Sequence, residues 1–299
     1  MWYTHRTFQE NTDDFKKMCI FITELNKKHV CEWSLGRLFA WMYGRWSEES
    51  QNAELFCKHA ELFFDYTDVL CGLVITEDAG EEYYLLADQN PFVLTKMIEF
   101  LENGGNFEKN YKIVVREKDD CQVQILQRAG FEVCGKGDTT YTYKVENIVL
   151  KDAVLPQGYQ LTSQKEFTDY RAMELQRFTA FNPNGIFDEQ CDKAYLFSRQ
   201  NPLIDLAFSI LLLNDTNEPV SSCIGYLDRS NLTMEVEVVC TKKEYEGKGF
   251  AKTVISECIR RSIAMGIKEV SISGWNDITR HLYSSFGRCE TIQKVCYEK

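Results

Sequence analysis

The sequence predicts a mixed α/β protein, with α+β character in its sheets, built from two tandem copies of one unit. Three observations carry that expectation. Apolar spacing alternates between the two-residue period of strands and the helical period in the same order along both halves. A stretch holding a proline and a glycine, "NIVLKDAVLPQGYQL", parts the halves near residue 150. A short phrase also recurs near the two ends, "LQRAGFEV" in one half and "LYSSFGRCE" in the other. The predicted domains are 1–150 and 151–299.

In the first half, helices are expected over 13–28 and 34–46. "DVLCGLVITED" and "EEYYLLAD" follow as a hairpin. The helix "PFVLTKMIEFLENGG", the strand "YKIVVRE", the helix "DDCQVQILQRAGF" and the strand "TTYTYKVE" complete it. The second half repeats the order. Ser163 with Glu166 three residues on is a capping-box signature, which predicts a helix from there to about Ala180. Another helix spans 188–199 and stops before Pro202. "LAFSILLLN", "SSCIGYLD" and "LTMEVEVVC" then read as an antiparallel meander, separated by "DTNEPV" and "RSN". A helix after the next loop keeps Phe250, Val254, Ile255, Cys258 and Ile259 on one face and closes at Gly266. "KEVSIS", "NDITRHLYSSFG" and "TIQKVCYE" end the half as strand, short helix and strand.

Composition bounds the function. With 299 residues, 44% of them apolar, the chain is long enough for two ordinary cores. It has no run of 18 apolar residues, and its N-terminus lacks a basic segment followed by an apolar one. A cytoplasmic protein with no membrane partner, monomeric or homodimeric, is therefore expected. The formal charge of −11 is uneven, with 16 basic and 25 acidic side chains in 1–150 against 18 and 20 in 151–299. No nucleic-acid partner is expected, because a phosphate backbone demands clustered Lys and Arg. A cationic substrate such as an amine suits the balance better. The twelve cysteines include no C-x-x-C pair, so packed thiols in a reducing compartment are expected and no metal centre is. His5, His29 and His59 form no ligand pattern.

The stretch that bears chemistry is "EYEGKGFAKTVI", residues 244–255. Gly247 and Gly249 stand at the foot of a helix, where backbone N–H groups are unpaired and the dipole favours an anion. Lys242, Lys243, Lys248 and Lys252 surround the loop. A lone G-x-G is usually a turn; the strand before it, the helix after it and the lysines make this one a phosphate cradle. A dinucleotide fingerprint is rejected, because it needs a third glycine where Lys252 stands and a βαβ unit where a meander stands. The first half has "QNPF" at the corresponding place, with no glycine and with Pro91 lacking an N–H. It also has Leu126 in register with Tyr283 and Asp119 with Asn276, so it reads as a scaffold without the site.

These features resemble the GNAT acyltransferase superfamily, whose pyrophosphate loop reads Q/R-x-x-G-x-G/A between the fourth strand and a long helix. Here that loop is Glu246, Gly247, Lys248, Gly249, Phe250, Ala251. "NDITRHLYSSFG" is similar to the family's N-x(6)-Y-x(3)-G helix, with Asn276, Tyr283 and Gly287 in register. The resemblance covers 151–299 and implies two tandem GNAT-like acyl-CoA N-acyltransferase domains, the first degenerate. It implies acetyl-CoA as cofactor, held by Glu246 to Lys252 and Asn276, with the backbone of Val239, Cys240 and Thr241 facing the acetyl carbonyl. Tyr283 is then the residue that protonates the departing sulfur. Glu235, four positions before the acetyl-contacting residue, takes the amine's proton. From the residues alone, Tyr283 reads equally as a packed aromatic, Glu235 as part of a solvated strand face and Cys240 as a packed thiol. Glu246 departs from the family's Arg or Gln, and a carboxylate there repels phosphates.

The implied function is acetyl transfer to a primary amine of a small molecule by direct attack. A protein or peptide N-terminal acetyltransferase and a non-catalytic acyl-CoA-binding regulator are the alternatives. The acceptor pocket is expected beside "FTAFNPNGIFDEQ", which gathers Phe178, Phe181 and Phe187 around a Pro-Gly tip.

Overall fold

The computed structural model describes residues 3–28, 33–45, 52–77, 81–105, 111–151 and 154–299. The chain falls into two compact units. The first comprises Met1–Trp41, Ser47–Thr139 and Ile292–Lys299, the second Met42–Trp46 and Thr140–Thr291. The boundary is therefore not at residue 150, and the last strand belongs to the first unit. A strand's allegiance is set by the backbone it pairs with, a long-range fact that periodicity does not carry.

The elements run β1 (Thr4–Thr7), α1 (Asp14–Lys27), α2 (Leu35–Tyr43), α3 (Ala53–Cys57), β2 (Ala60–Phe64), β3 (Leu70–Ile75), β4 (Glu82–Ala87), α4 (Pro91–Glu102), β5 (Lys112–Arg116), α5 (Asp120–Arg128) and β6 (Glu132–Lys144). They continue with β7 (Gln160–Ser163), α6 (Tyr170–Phe181), α7 (Glu189–Ser198), β8 (Ser209–Leu213), β9 (Pro219–Asp228), β10 (Thr233–Thr241), α8 (Phe250–Ala264), β11 (Glu269–Gly274), α9 (Asp277–Tyr283) and β12 (Glu290–Glu298). β1, β2, α3 and β7 are additions to the sequence reading. The predicted end of α2, residue 46, lies outside the described residues. Among the described residues no helix is long and apolar enough to cross a membrane.

In the first unit, β1 to β4 pair antiparallel in succession, β5 adds parallel to β4, and β12 adds antiparallel to β5. In the second unit, β7 to β10 pair antiparallel in succession and β11 adds parallel to β10. One plan serves both. In each unit the parallel pair is short: β4 and β5 pair only over Glu82–Tyr84, and β10 and β11 only over Thr233–Glu235.

The expected capping box at Ser163 is real as a contact but not as a helix start. The Glu166 carboxylate accepts from the Ser163 N–H at 2.9 Å and from its hydroxyl at 2.6 Å, closing a turn after β7. α6 begins seven residues later, where the Asp169 side chain accepts from the Ala172 N–H at 3.0 Å.

The core of the second unit lies between α8 and the sheet, with Ile210, Val236, Val254, Cys258, Ile272 and Phe286 at its centre. In the first unit the matching cluster gathers Val74, Leu85, Val93, Met97, Ile113 and Leu126. A glycine in the third antiparallel strand of each unit, β3 and β9, lets the helix close on the sheet. A Cβ on Gly72 would stand 2.6 Å from Val93 Cγ1, and one on Gly225 would stand 2.7 Å from Cys258 Sγ. Val93 is stiff about χ1 on its helix and has little room to yield. Gly72→Ala should therefore destabilise the protein by about 1–3 kcal/mol through overpacking. Gly135→Ala, with nothing within 4 Å of its Cβ, should be near neutral. Urea midpoints of the two variants test this, and equal midpoints would refute the close approach.

Candidate active site

α8 starts on Gly249, which holds the left-handed conformation (φ 80°) and caps the helix without a side chain. Gly247 is also left-handed (φ 73°), and nothing lies within 4 Å of a Cβ built on either residue. The first turn of α8 contains no acidic side chain. The foot of the helix is thus an open, backbone-lined concavity able to receive a phosphate. Phe250 is buried against Tyr159 and Tyr245, with ring centres 5.4 and 6.3 Å away, which anchors the turn from below. Ala251 is half-buried in the same turn.

The charged groups around the cradle are partly engaged. Lys248 Nζ lies 4.8 Å from the centre of the Tyr245 ring. Lys252 Nζ donates to the Ser285 hydroxyl at 2.7 Å and the Ser285 carbonyl at 3.3 Å. Glu246 is exposed at the end of the tight turn Lys243–Tyr245, and no salt bridge forms on it among the described residues. The anion at the lip is solvated and left unneutralised.

Upstream, β10 carries one residue too many. Glu237 faces Ile224 and Cys240 faces Ser222, so three steps on β10 match two on β9. The extra residue is Val238, held at φ 52°. Before the bulge, Met234 and Val236 enter the α8 core while Glu235 and Glu237 take the opposite face. The bulge reverses that parity. Cys240 now lies on the α6 side, where the Gln176 amide donates to its sulfur at 3.4 Å, and Val239 packs on the core. Ser222 donates to Gln176 Oε1 at 2.8 Å, and the Ser221 hydroxyl lies 2.9 Å from that of Thr241. Because β11 pairs with β10 only as far as Glu235, the bulged part of β10 has no strand on that side.

The face bearing Glu235 and Glu237 is unusually polar for a buried layer. α6 buries Glu174, Gln176 and Arg177 beside Met173. Arg177 donates to Glu174 at 2.8 Å and to the Ser209 hydroxyl at 3.0 Å. The buried Tyr226, opposite Glu235 in register, feels Arg177, Glu237, Glu235 and Glu174, and burial pushes its phenol well up. The α6–α7 loop packs Phe178 edge-on to Phe187 at 5.3 Å, whereas Phe181 is exposed.

Tyr283 ends α9 with its ring buried. Burial first, and the Glu237 carboxylate second, raise its phenol far above the ordinary range, and Cys240 contributes in the same direction. The buried Tyr143 hydroxyl donates to the Tyr283 backbone carbonyl, fixing the residue from below. Asn276, expected to touch the cofactor, caps α9. Its side chain accepts from the Thr279 N–H at 2.8 Å, while the Thr279 hydroxyl accepts from the Asn276 N–H at 3.2 Å. Gly287 is required by a close approach, since a Cβ there would stand 2.1 Å from the Asn147 carbonyl oxygen.

Sequence reasoning selected Glu235 as the residue that takes the amine's proton; the carboxylate that helps raise the Tyr283 phenol is that of Glu237, two positions on along the same face. Alternation marked both glutamates as one face but held no sign of the bulge. Burial also pushes the Cys240 thiol up, leaving it a poor nucleophile.

The first unit answers the same topology with its own side chains. Where α8 has Gly249, α4 has Asn90, whose side chain accepts from the N–H groups of Phe92 at 3.1 Å and Val93 at 3.4 Å. Where β10 and β11 part, Gln122 on α5 donates to the Leu85 carbonyl of β4 at 3.2 Å. Leu126 lies in the core, in register with Tyr283.

Residues 170–287 match the profile of the acetyltransferase (GNAT) family. No curated protein matches the chain in sequence. Among solved structures, a tandem GNAT protein from the clavulanic acid biosynthesis pathway aligns over 99% of this chain and 98% of its own, with a TM-score of 0.61 at 9% identity. A GNAT-family acetyltransferase from Colwellia psychrerythraea aligns over 99% and 100%, with a TM-score of 0.57 at 13% identity. A GCN5-related N-acetyltransferase from Sphaerobacter thermophilus aligns over 99% and 95%, with a TM-score of 0.56 at 12% identity. At such identities the likeness is one of fold, and it spans both units.

The bulge itself is testable. A β-branched residue in the left-handed region costs about 1–2 kcal/mol, which glycine avoids. Glycine also loses more backbone freedom on folding, by about 0.5–1 kcal/mol. Val238→Gly should therefore leave stability unchanged or slightly higher. Val236→Gly, which empties a buried core position, should cost several-fold more than that balance. Denaturant unfolding in which both variants lose equally would mean that Val238 is an ordinary strand residue.

Proposed function

Because residues 170–287 form a domain of the acetyltransferase (GNAT) family, we propose that the chain is an N-acetyltransferase that uses acetyl-CoA and transfers the acetyl group to a primary amine of a small molecule by direct attack. The observation that carries this reading is the parting of β10 from β11 after Glu235, with the buried Tyr283 under the influence of Glu237. When bound, acetyl-CoA supplies a thioester already activated toward amines. The foot of α8 fits its phosphates, because both glycines are left-handed and leave open the space a Cβ would take. Gly247, Lys248, Gly249, Phe250 and Ala251 would hold them through backbone N–H groups, and the edge formed by Val239, Cys240 and Thr241 would hold the arm.

The proton inventory is supplied by the chain. Tyr283 Oη keeps its proton at neutral pH and is a donor for a leaving sulfur. A raised phenol retains its acid form to higher pH, so Tyr283 sets no alkaline limb below its ordinary value of about 10. Glu237, with Glu235 beside it on the same face, accepts the amine's proton and favours a cationic acceptor. Cys240 stays a thiol, which supports direct attack over an acyl-cysteine.

An amine panel assayed by free CoA release, with acetyl-CoA compared against longer acyl-CoAs, tests the reading. Turnover with small primary amines is expected. Turnover confined to peptide N-termini, or tight binding with no turnover, would overturn the acceptor class or the enzyme itself. Within that assay, Tyr283→Phe should lower kcat by about 10²- to 10⁴-fold at nearly constant affinity for coenzyme A. Glu237→Gln should slow turnover more than Glu235→Gln.

Calorimetry should find one coenzyme A per chain, since Asn90 and Gln122 occupy the corresponding groups of the first unit. Gly249→Val should lose that binding, because valine must hold φ 80° and its side chain fills the concavity. Two equivalent sites per chain would contradict the sealed first unit.

A further inference from the structure

The first unit contains a cavity of about 330 Å³ that acyl transfer does not use. Its wall is made by the rings of Tyr3, His5, Phe63 and Phe100, and its rim by the last turns of α4, including Lys96, Glu99 and Asn103. β1 brings His5 opposite Phe63 of β2, and the two rings stack at 5.2 Å. Phe100 meets both edge-on, with ring centres 5.0 Å from His5 and 5.9 Å from Phe63. His5 Nδ1 lies 2.7 Å from a carboxylate oxygen of Glu61, a side chain only 4% exposed. The other Glu61 oxygen accepts from the Thr7 hydroxyl at 3.0 Å. An ionised carboxylate can only accept, so Nδ1 carries the proton and Nε2 of the neutral ring is an acceptor.

An inventory of the rim decides the chemistry of a ligand. The Lys96 ammonium is bound to Glu99 and lies 5.7 Å from the Phe92 ring. The Asn103 amide donates to the Glu99 backbone carbonyl at 2.8 Å. One N–H of Lys96 is thus taken by one oxygen of Glu99, and the acceptors of the lining are His5 Nε2, the second oxygen of Glu99 and Asn103 Oδ1. They stand at the C-terminal end of α4, where the helix dipole is negative. Aromatic faces add attraction for a cation. An apolar molecule would leave these acceptors unmet. The volume is near the lower end of small-molecule sites, roughly 300 Å³. We propose that this cavity binds a small organic cation with an aromatic body, an arylalkyl ammonium, with His5 and Glu99 taking its N–H groups and the aromatic wall its ring.

The test is a titration of the full chain with 2-phenylethylammonium at about pH 8. It is followed by calorimetry and by the His5 ring resonance, assigned through its loss in His5→Gln. Saturable one-site binding that shifts the His5 signal is expected, with the uncharged 2-phenylethanol binding at least roughly tenfold more weakly. Glu99→Gln should weaken the ammonium by roughly three- to tenfold, and this partly exposed side chain puts folding at little risk. Phe100→Ala should weaken it as well. No saturable binding in the millimolar range, equal binding of the alcohol, or binding that ignores Glu99→Gln and leaves His5 unmoved would each overturn the proposal. The last of these would mean that the cation binds elsewhere on the chain.

Discussion

Val238 sits in left-handed backbone space, where a β-branched side chain is unfavourable, and the rest of the second unit's site depends on its staying there. Both sides of the bulge are pinned. Glu237 and the residues before it are in register with β9, and Cys240 and Thr241 recover register against Ser222 and Ser221. The surplus residue therefore cannot slide out along the strand. Its consequence is a change of parity: the glutamates before it and the cysteine after it share one face, and Val239 is returned to the core. The same irregularity lies beyond the last pair with β11, and the Val238 N–H donates to the Glu237 carboxylate at 3.3 Å rather than to a neighbouring strand. A regular β10 would carry that ladder further and close the site.

The two units show what that edge costs when it is not used. Unpaired backbone groups inside a protein must find partners, and the first unit supplies them internally. Gln122 bonds the Leu85 carbonyl, and the Asn90 side chain bonds the first amides of α4. The second unit has a side-chain-free glycine at the cap position of α8, and a tyrosine in register with the first unit's Leu126. Among the described residues, the first unit thus meets these two groups of backbone donors and acceptors with its own side chains.

Much of the fold was legible, because helices and meanders write their period into the sequence. The order of elements, the glycine loop and the tyrosine helix could all be read from local patterns. What could not be read were features set by distant partners. The allegiance of β12 to the first unit depends on pairing with β5. β1, at the edge of its sheet, shows no strong alternation. α6 was placed too early because Ser163 and Glu166 make the contacts of a capping box around a turn. Its buried Glu174, Gln176 and Arg177 also hide the apolar stripe that marks a core helix. At the site, the bulge has no sequence mark at a valine, so the change of face after Glu237 could not be read. Asn276 was legible as a position, and the structure shows it capping α9; a cap and a ligand contact ask for the same residue type.

The anion at the lip of the cradle follows from the same division between backbone and side chain. A cradle that relied on a basic side chain at position 246 could not tolerate a carboxylate there. This one is made of amides at the foot of α8, whose direction is fixed by the left-handed glycines and by the buried Phe250. Glu246 is exposed, and an exposed charge acts through water and salt, which screen it within about 8–10 Å. Against an anion held at the foot of α8 its repulsion would be modest and salt-dependent, whereas the amides would act at contact distance. The cations nearby are partly spent on Tyr245 and Ser285, so they do not cancel it fully. For such an anion the geometry of the loop would outweigh the sign of that one side chain.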